Sequence, residues 1–245
     1  MKITFLGTNG WYDTPTGSTL SAVVDAGSFA IVMDAGFGLY KLRGLPAKNK
    51  RIYLFISHLH LDHICGLHTL PLFKFKSLDI FCQKGMKKHL EYFLNHPFTV
   101  SPKQLPYPVR ITEIIPGKYK KPIPFECLPL KHADPCLGYR FSFGKKIVTY
   151  CCDTGICKND ELLARDADML IHECAFLPGI TSNWGHTNPE EAAALAKRAN
   201  AKKLVLTHFA ADTYRSGAIK KRSQGIAKKI FPATIMASDG LTLNI

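Results

Sequence analysis

Between Ser57 and His63 the chain sets three imidazoles and one carboxylate almost side by side, as His58, His60, Asp62 and His63. The run directly follows the apolar stretch Ile52-Tyr53-Leu54-Phe55-Ile56, which reads as a buried strand. Side chains of an extended chain alternate in direction, so His58 and His60 share a side and can grip one ion. Asp62 and His63 then offer a second ion a carboxylate oxygen and an imidazole. Structural zinc sites are closed and rich in Cys, whereas mixed His and Asp ligands leave positions open for water and substrate. With only ten His in 245 residues, accidental clustering of three of them is a poor explanation.

The same arrangement recurs downstream: an apolar strand delivers a chemically capable side chain at its C-terminal end. His132 follows such a run, and so do Asp153, after Lys146 to Tyr150, and His208, after Leu204-Val205-Leu206-Thr207. Met169-Leu170-Ile171 delivers His172-Glu173. His186 precedes a strong helix start, with Asn188 as N-cap, Pro189 at the first helical position and Glu190 and Glu191 in the first turn. A loop of that kind suits catalysis. Any one of these residues alone reads best as a buried polar group; together they read as a site. Asp34, at the end of an earlier strand, suits either an outer partner that orients a ligating His or a turn.

The elements that must position these groups alternate between strands and helices in both halves, with no linker or low-complexity tract. That pattern argues for one α/β domain over residues 1–245, built from two similar layers. Expected strands cover residues 2–6, 20–25, 29–33, 52–56, 78–82, 109–115, 123–130, 137–143, 146–150, 169–171, 204–207 and 241–245. Helices are expected at 64–73, 84–94, 189–200 and 215–230, the last strongly basic. The proline-rich segment 95–108 reads as loop, with Phe98 and Tyr107 as substrate-facing candidates.

The formal charge of +13 and pI near 9.4 raise the local concentration of anions. A phosphate-bearing substrate, RNA, or simply a lysine-rich solvated face accounts for them equally. Eight Cys without a Cys-x-x-Cys pair suggest neither a disulfide framework nor a zinc ribbon. Cys151-Cys152, beside Asp153, raises the question of oxidation sensitivity. With no secretory signal and no apolar stretch of about eighteen residues, the cytoplasm is the default location and no membrane is expected.

His58-Leu59-His60-Leu61-Asp62-His63 resembles the His-x-His-x-Asp-His signature of the metallo-β-lactamase superfamily. The resemblance extends from the first strand to Asp239-Gly240, and it implies an α/β fold of the αββα four-layer sandwich type. It also implies two divalent ions, with zinc as the default and manganese or iron compatible with the ligands. His58, His60 and His132 would hold one ion, Asp62, His63 and His208 the other, and Asp153 both. Two such cations can share a water and lower its pKa, presenting a bridging hydroxide to substrate.

His132, Gly138-Tyr139, Cys152-Asp153-Thr154, His172-Glu173-Cys174 and Gly185-His186-Thr187 are similar to the ribonuclease Z and phosphodiesterase branch of that superfamily. In that branch His186 would protonate the leaving oxygen while Glu173 orients it, and Asp62 would additionally orient the water. An alkoxide needs such an acid. The short bacterial ribonuclease Z carries a tRNA-clamping arm between the third ligand His and the bridging Asp. Here His132 and Asp153 stand 21 positions apart, too few for an arm, which points to a small or cyclic phosphodiester. The alternatives are a tRNA 3′-processing endoribonuclease, with residues 215–229 as an RNA contact, and an ester, lactone or thioester hydrolase on the same fold. A nucleic-acid-binding protein with structural metals is the non-enzymatic one. Relatives of this kind are often homodimers.

Overall fold

A computed structural model describes residues 1–181 and 183–245. The chain folds as two compact units that interleave in sequence. One comprises Met1–Thr8, Gly17–Ile115 and Asp239–Asn244; the other comprises Asn9–Thr16, Pro116–Ser238 and Ile245.

The first unit is built on a seven-stranded sheet. Its order is Thr242–Asn244, Lys2–Gly7, Ser21–Asp25, Phe29–Met33, Arg51–Phe55, Ser77–Gln83 and Val109–Ile114. The first four strands pair antiparallel, and from Phe29–Met33 onward the pairing is parallel. Gly27 at φ +82 makes the hairpin turn between Asp25 and Phe29, and the Asp25 carboxylate accepts its N–H. Ala30 to Met33 are all buried, as are Leu54, Phe55 and Ile56. Parallel strands covered in this way read as unbroken apolar runs, which made them legible.

One expectation is refined in this unit and one fails. Residues 64–73 are helical as expected, but as a 3-10 helix, Cys65–Leu72, that follows a single α-turn, Leu61–Ile64. Gly66 presses its backbone against Ala35 and Gly36, where a Cβ would sit 2.1 Å from the Gly36 carbonyl oxygen, and Pro71 cannot donate to the ladder. The close approach and the proline together favour the tighter helix. Tyr107 does not face substrate; its ring is in the core against Phe75, and its hydroxyl donates to the Leu70 carbonyl at 2.6 Å. Burial pushes that phenol's pKa up. Phe98 is exposed, with its ring edge-on to Tyr92.

The second unit has its own seven-stranded sheet. The order is Thr234–Met236, Leu204–Thr207, Met169–Glu173, Lys146–Cys151, Leu137–Phe143, Phe125–Pro129 and Gly117–Tyr119. The four strands from Thr234–Met236 to Lys146–Cys151 are mutually parallel. Their C-terminal ends therefore lie along one edge, where α/β sheets commonly place their chemistry. Helices Lys158–Ala164, Pro189–Arg198 and Gly217–Ile230 contribute Leu163, Ala192, Leu195, Ala196 and Ala227 to a core shared with Leu170, Leu204 and Leu206. Asn188 caps the second of these helices as expected, accepting from Glu191 N–H at 2.9 Å while Glu191 accepts from Asn188 N–H. Asn9–Gly10 pairs in parallel with Phe209–Ala210 as a small separate ladder. Among the described residues no helix is long and apolar enough to cross a membrane.

Candidate metal and acid–base site

In the first unit the strand Arg51–Phe55 runs out into Ile56-Ser57-His58, and His60 opens the next helical turn in extended conformation. His58 and His63 are fully buried, Asp62 is half-buried and His60 is exposed. The rings of His58 and His60 lie 4.5 Å apart, and those of His58 and His63 4.2 Å apart. Ligand atoms of His58 and His60 come within 4.8 Å of each other, as do those of Asp62 and His63.

One buried carboxylate organises this cluster. Asp34 accepts from Nδ1 of His63 at 2.8 Å, from the Ser57 N–H at 2.7 Å and from the Ser57 hydroxyl at 2.8 Å. The hydroxyl, having given its proton to Asp34, lies 3.0 Å from Nδ1 of His58 and accepts from it. Both imidazoles are thereby set in the tautomer whose Nε2 carries the lone pair, as a metal ligand requires. Asp34 thus takes both roles open to it: it stands at φ +53, as a turn residue does, and it orients two histidines. Ser57 is the member that residue types alone did not mark.

In the second unit the parallel strands present their ends. Asp153 follows Lys146–Cys151, Glu173 ends Met169–Glu173, and His208 follows Leu204–Thr207. Asp153 and His208 both stand at positive φ, +55 and +53, which turns the side chains off the strand direction. Nδ1 of His208 lies 2.9 Å from Oδ1 of Asp153, and Nε2 of His132 lies 3.9 Å from Oδ2. Such spacings suit donors converging on a shared cation.

Glu173 is buried and heavily used. Its Oε1 accepts from the Thr154 N–H at 2.8 Å and its Oε2 from the N–H groups of Ala175 and Thr187 at 2.9 and 3.1 Å. Oε1 also accepts from Nδ1 of His186 at 2.9 Å. His186 remains a quarter exposed. Burial alone would lower its pKa, but the hydrogen bond and charge of Glu173, with the charge of Asp153, outweigh this and raise it. The arrangement fixes Nδ1 on Glu173, favours the charged form of the ring and leaves part of it exposed. Gly185, at φ +80, makes the loop possible; a Cβ there would stand 2.9 Å from Cα of His132. Donor atoms of Glu173, His186 and His208 all fall within 4.8 Å of one another.

The candidate ligand and acid–base residues thus lie among the others of their own unit, His58, His60, Asp62 and His63 in one, and His132, Asp153, Glu173, His186 and His208 in the other. Imidazole nitrogens and carboxylate oxygens without thiolates form a set that fits divalent cations. Cys151 and Cys152 are fully buried, and desolvation pushes the Cys151 thiol far up, so it stays protonated and unreactive.

A fold of parallel strand ends carrying such ligands defines a metal-dependent hydrolase. The chain belongs to the β-lactamase superfamily, whose domain model matches residues 30–209. It is similar to the probable metallo-hydrolase YhfI of Bacillus subtilis, 31% identical over 217 residues and 85% of this chain and 87% of that protein. The crystal structure of YhfI, a metallo-β-lactamase fold protein, covers 99% of this chain and 98% of its own with a TM-score of 0.81 at 24% identity. Ribonuclease BN of Cronobacter sakazakii is 26% identical over 311 residues, covering the whole of both chains. A diphosphatase from the PhnP family matches in structure with a TM-score of 0.77 and 18% identity, over 100% of this chain and 97% of that one. These likenesses establish the α/β metallo-β-lactamase fold expected from the sequence. The alignment with ribonuclease BN exceeds this chain's 245 residues, so that relative carries segments this chain lacks.

Proposed function

We propose that the protein is a phosphodiesterase that acts on a small or cyclic phosphodiester with two divalent ions, zinc by default. The assignment of ligands is the one the family resemblance implies: His58, His60 and His132 for one ion, Asp62, His63 and His208 for the other, and Asp153 for both. On this reading both units serve one catalytic domain, which the continuous family match supports. When bound, the ions supply an acidified water and neutralise charge on the phosphoryl group.

The chain's own residues do the rest. Asp62 orients the water. Glu173, fixed by three backbone amides, holds Nδ1 of His186 and stabilises its charged form. Nε2 of that ring then gives its proton to the departing oxygen. Of these features the Glu173–His186 pair carries the reading, because an acid raised in pKa is needed for an alkoxide leaving group. Good leaving groups do not need it.

The test compares leaving groups. His186→Ala is expected to lose about 100- to 10,000-fold in kcat on 2′,3′- and 3′,5′-cyclic nucleotides, and far less on bis(p-nitrophenyl) phosphate. Equal losses on both, or activity confined to lactones and thioesters, would reject the phosphodiesterase reading. A second reading, an endoribonuclease of the ribonuclease Z kind, is favoured by the full-length match to ribonuclease BN. The missing segments weigh against it, and turnover of a precursor tRNA above that of cyclic nucleotides would establish it.

A further inference from the structure

The helix Gly217–Ile230 carries five basic residues, of which Lys221, Arg222, Lys228 and Lys229 are exposed. Lys220 is 2% exposed. Its ammonium donates to Oδ1 of Asn9 at 2.6 Å and to the Thr16 carbonyl at 3.1 Å, and it lies 4.8 Å from the centre of the Phe209 ring. It therefore holds both ends of the segment Asn9–Thr16. The Asn9 amide, fixed on one side by Lys220, donates on the other to Thr14 Oγ1 at 2.9 Å. Asn9 and Gly10 pair with Phe209 and Ala210, and the Gly10 carbonyl accepts from Ala211 N–H.

Gly10 is where this anchoring meets the site. A Cβ built on it would stand 2.5 Å from Cε1 of His208 and under 3 Å from both ring nitrogens. The bare Gly10 backbone is thus a wall against which the imidazole lies. His208 stands at φ +53 just past the end of Leu204–Thr207, so its ring leaves the strand direction and lies between the Gly10 backbone on one side and Asp153, 2.9 Å from its Nδ1, on the other. Were packing alone required below this wall, an uncharged Met would serve without desolvating an ammonium.

We propose that Lys220 is a positioning residue for His208: by fixing Asn9 it seats Gly10 against the imidazole and holds the ring at the angle a cation needs. The ion-binding half of this claim rests on the function proposed above, whereas the seating of the ring does not. Outer groups that orient a ligating His typically change metal affinity by about 10- to 100-fold.

The test uses Lys220→Met and Asn9→Ala in the full chain, each checked for a cooperative thermal transition. In metal-free protein the NOE between Gly10 Hα and the His208 ring is expected to weaken or vanish in both variants. Zinc competition with a chelator is expected to show about tenfold weaker binding of one ion, with the other unchanged. Because both variants break the same link, the double variant should be no worse than the singles. Lys220→Arg should restore part of the affinity. If both variants keep the NOE and both zinc affinities, and only the melting temperature falls, Lys220 is a structural residue and the proposal fails. If the wild type binds no zinc, the proposed function fails and the NOE alone decides whether Lys220 seats the ring.

Discussion

The two units build their chemistry in opposite ways. In the first, the four candidate ligands follow one another in the chain, and a single carboxylate from the neighbouring strand end, Asp34, ties His63 and, through Ser57, His58. In the second, the residues arrive from three parallel strands and two loops, and the carboxylates are divided between Asp153, beside His208 and His132, and Glu173, which holds His186. Their directions come instead from left-handed backbone at Asp153, Gly185 and His208 and from backbone amides around Glu173. The contiguous set is oriented by side-chain hydrogen bonds, the dispersed set by backbone geometry together with the side-chain bond from His186 to Glu173. The proton transfer proposed above belongs to the dispersed set, where Glu173 holds the partly exposed ring of His186.

Substitutions can break this contrast at different depths. The largest effect is expected from His186→Ala, the loss of about two to four decades of kcat on substrates with alkoxide leaving groups, read by steady-state kinetics. Next comes Asp34→Asn, which disturbs both histidines of the contiguous set at once. About a 10- to 100-fold loss of metal affinity is expected by chelator competition, with the Glu173–His186 pair unaffected by NMR. A similar loss from a change confined to one of the two histidines would show that Asp34 is not the shared anchor. Gly185→Ala probes the backbone logic of the second unit; a side chain at φ +80 with a Cβ 2.9 Å from His132 is expected to cost about 1–2 kcal/mol in denaturant unfolding and to lower kcat.

The smallest effect serves as a control away from the site. Burial would raise the pKa of Asp168, but Lys202, the Ile147 N–H and Lys146 outweigh it and lower it. The stability it contributes is therefore complete above the ordinary carboxylate pKa and lost as pH falls through the lowered value. Asp168→Asn is expected to flatten that acid limb of the unfolding curve below about pH 4 without changing activity near neutrality.

The contrast also explains what could be read from the sequence. A contiguous ligand run after an apolar strand announces itself, and the strands ending at His132, Asp153 and His208 show the same grammar. The cap at Asn188 is equally local and was legible for that reason. Tyr107 was misread because a proline-rich segment looks like surface, while a hydroxyl that reaches the Leu70 carbonyl lets an aromatic ring bury. The helix Lys158–Ala164 and the strand Gly117–Tyr119 escaped notice as elements too short for a periodic signal. Ser57, Gly10 and Lys220 act through contacts whose partners lie far off in sequence or depend on a backbone angle, and nothing in a residue type reports these. Lys220 is the clearest case: one of five basic residues on its helix by sequence, and a buried anchor by structure.

The most direct measurement is the metal content of the purified chain together with turnover of 2′,3′-cyclic and 3′,5′-cyclic nucleotides, before and after chelation and in Asp153→Ala. Two ions per chain, with turnover that disappears on chelation and in the variant, is the predicted result. Two tightly held ions with no turnover of any phosphodiester would contradict it.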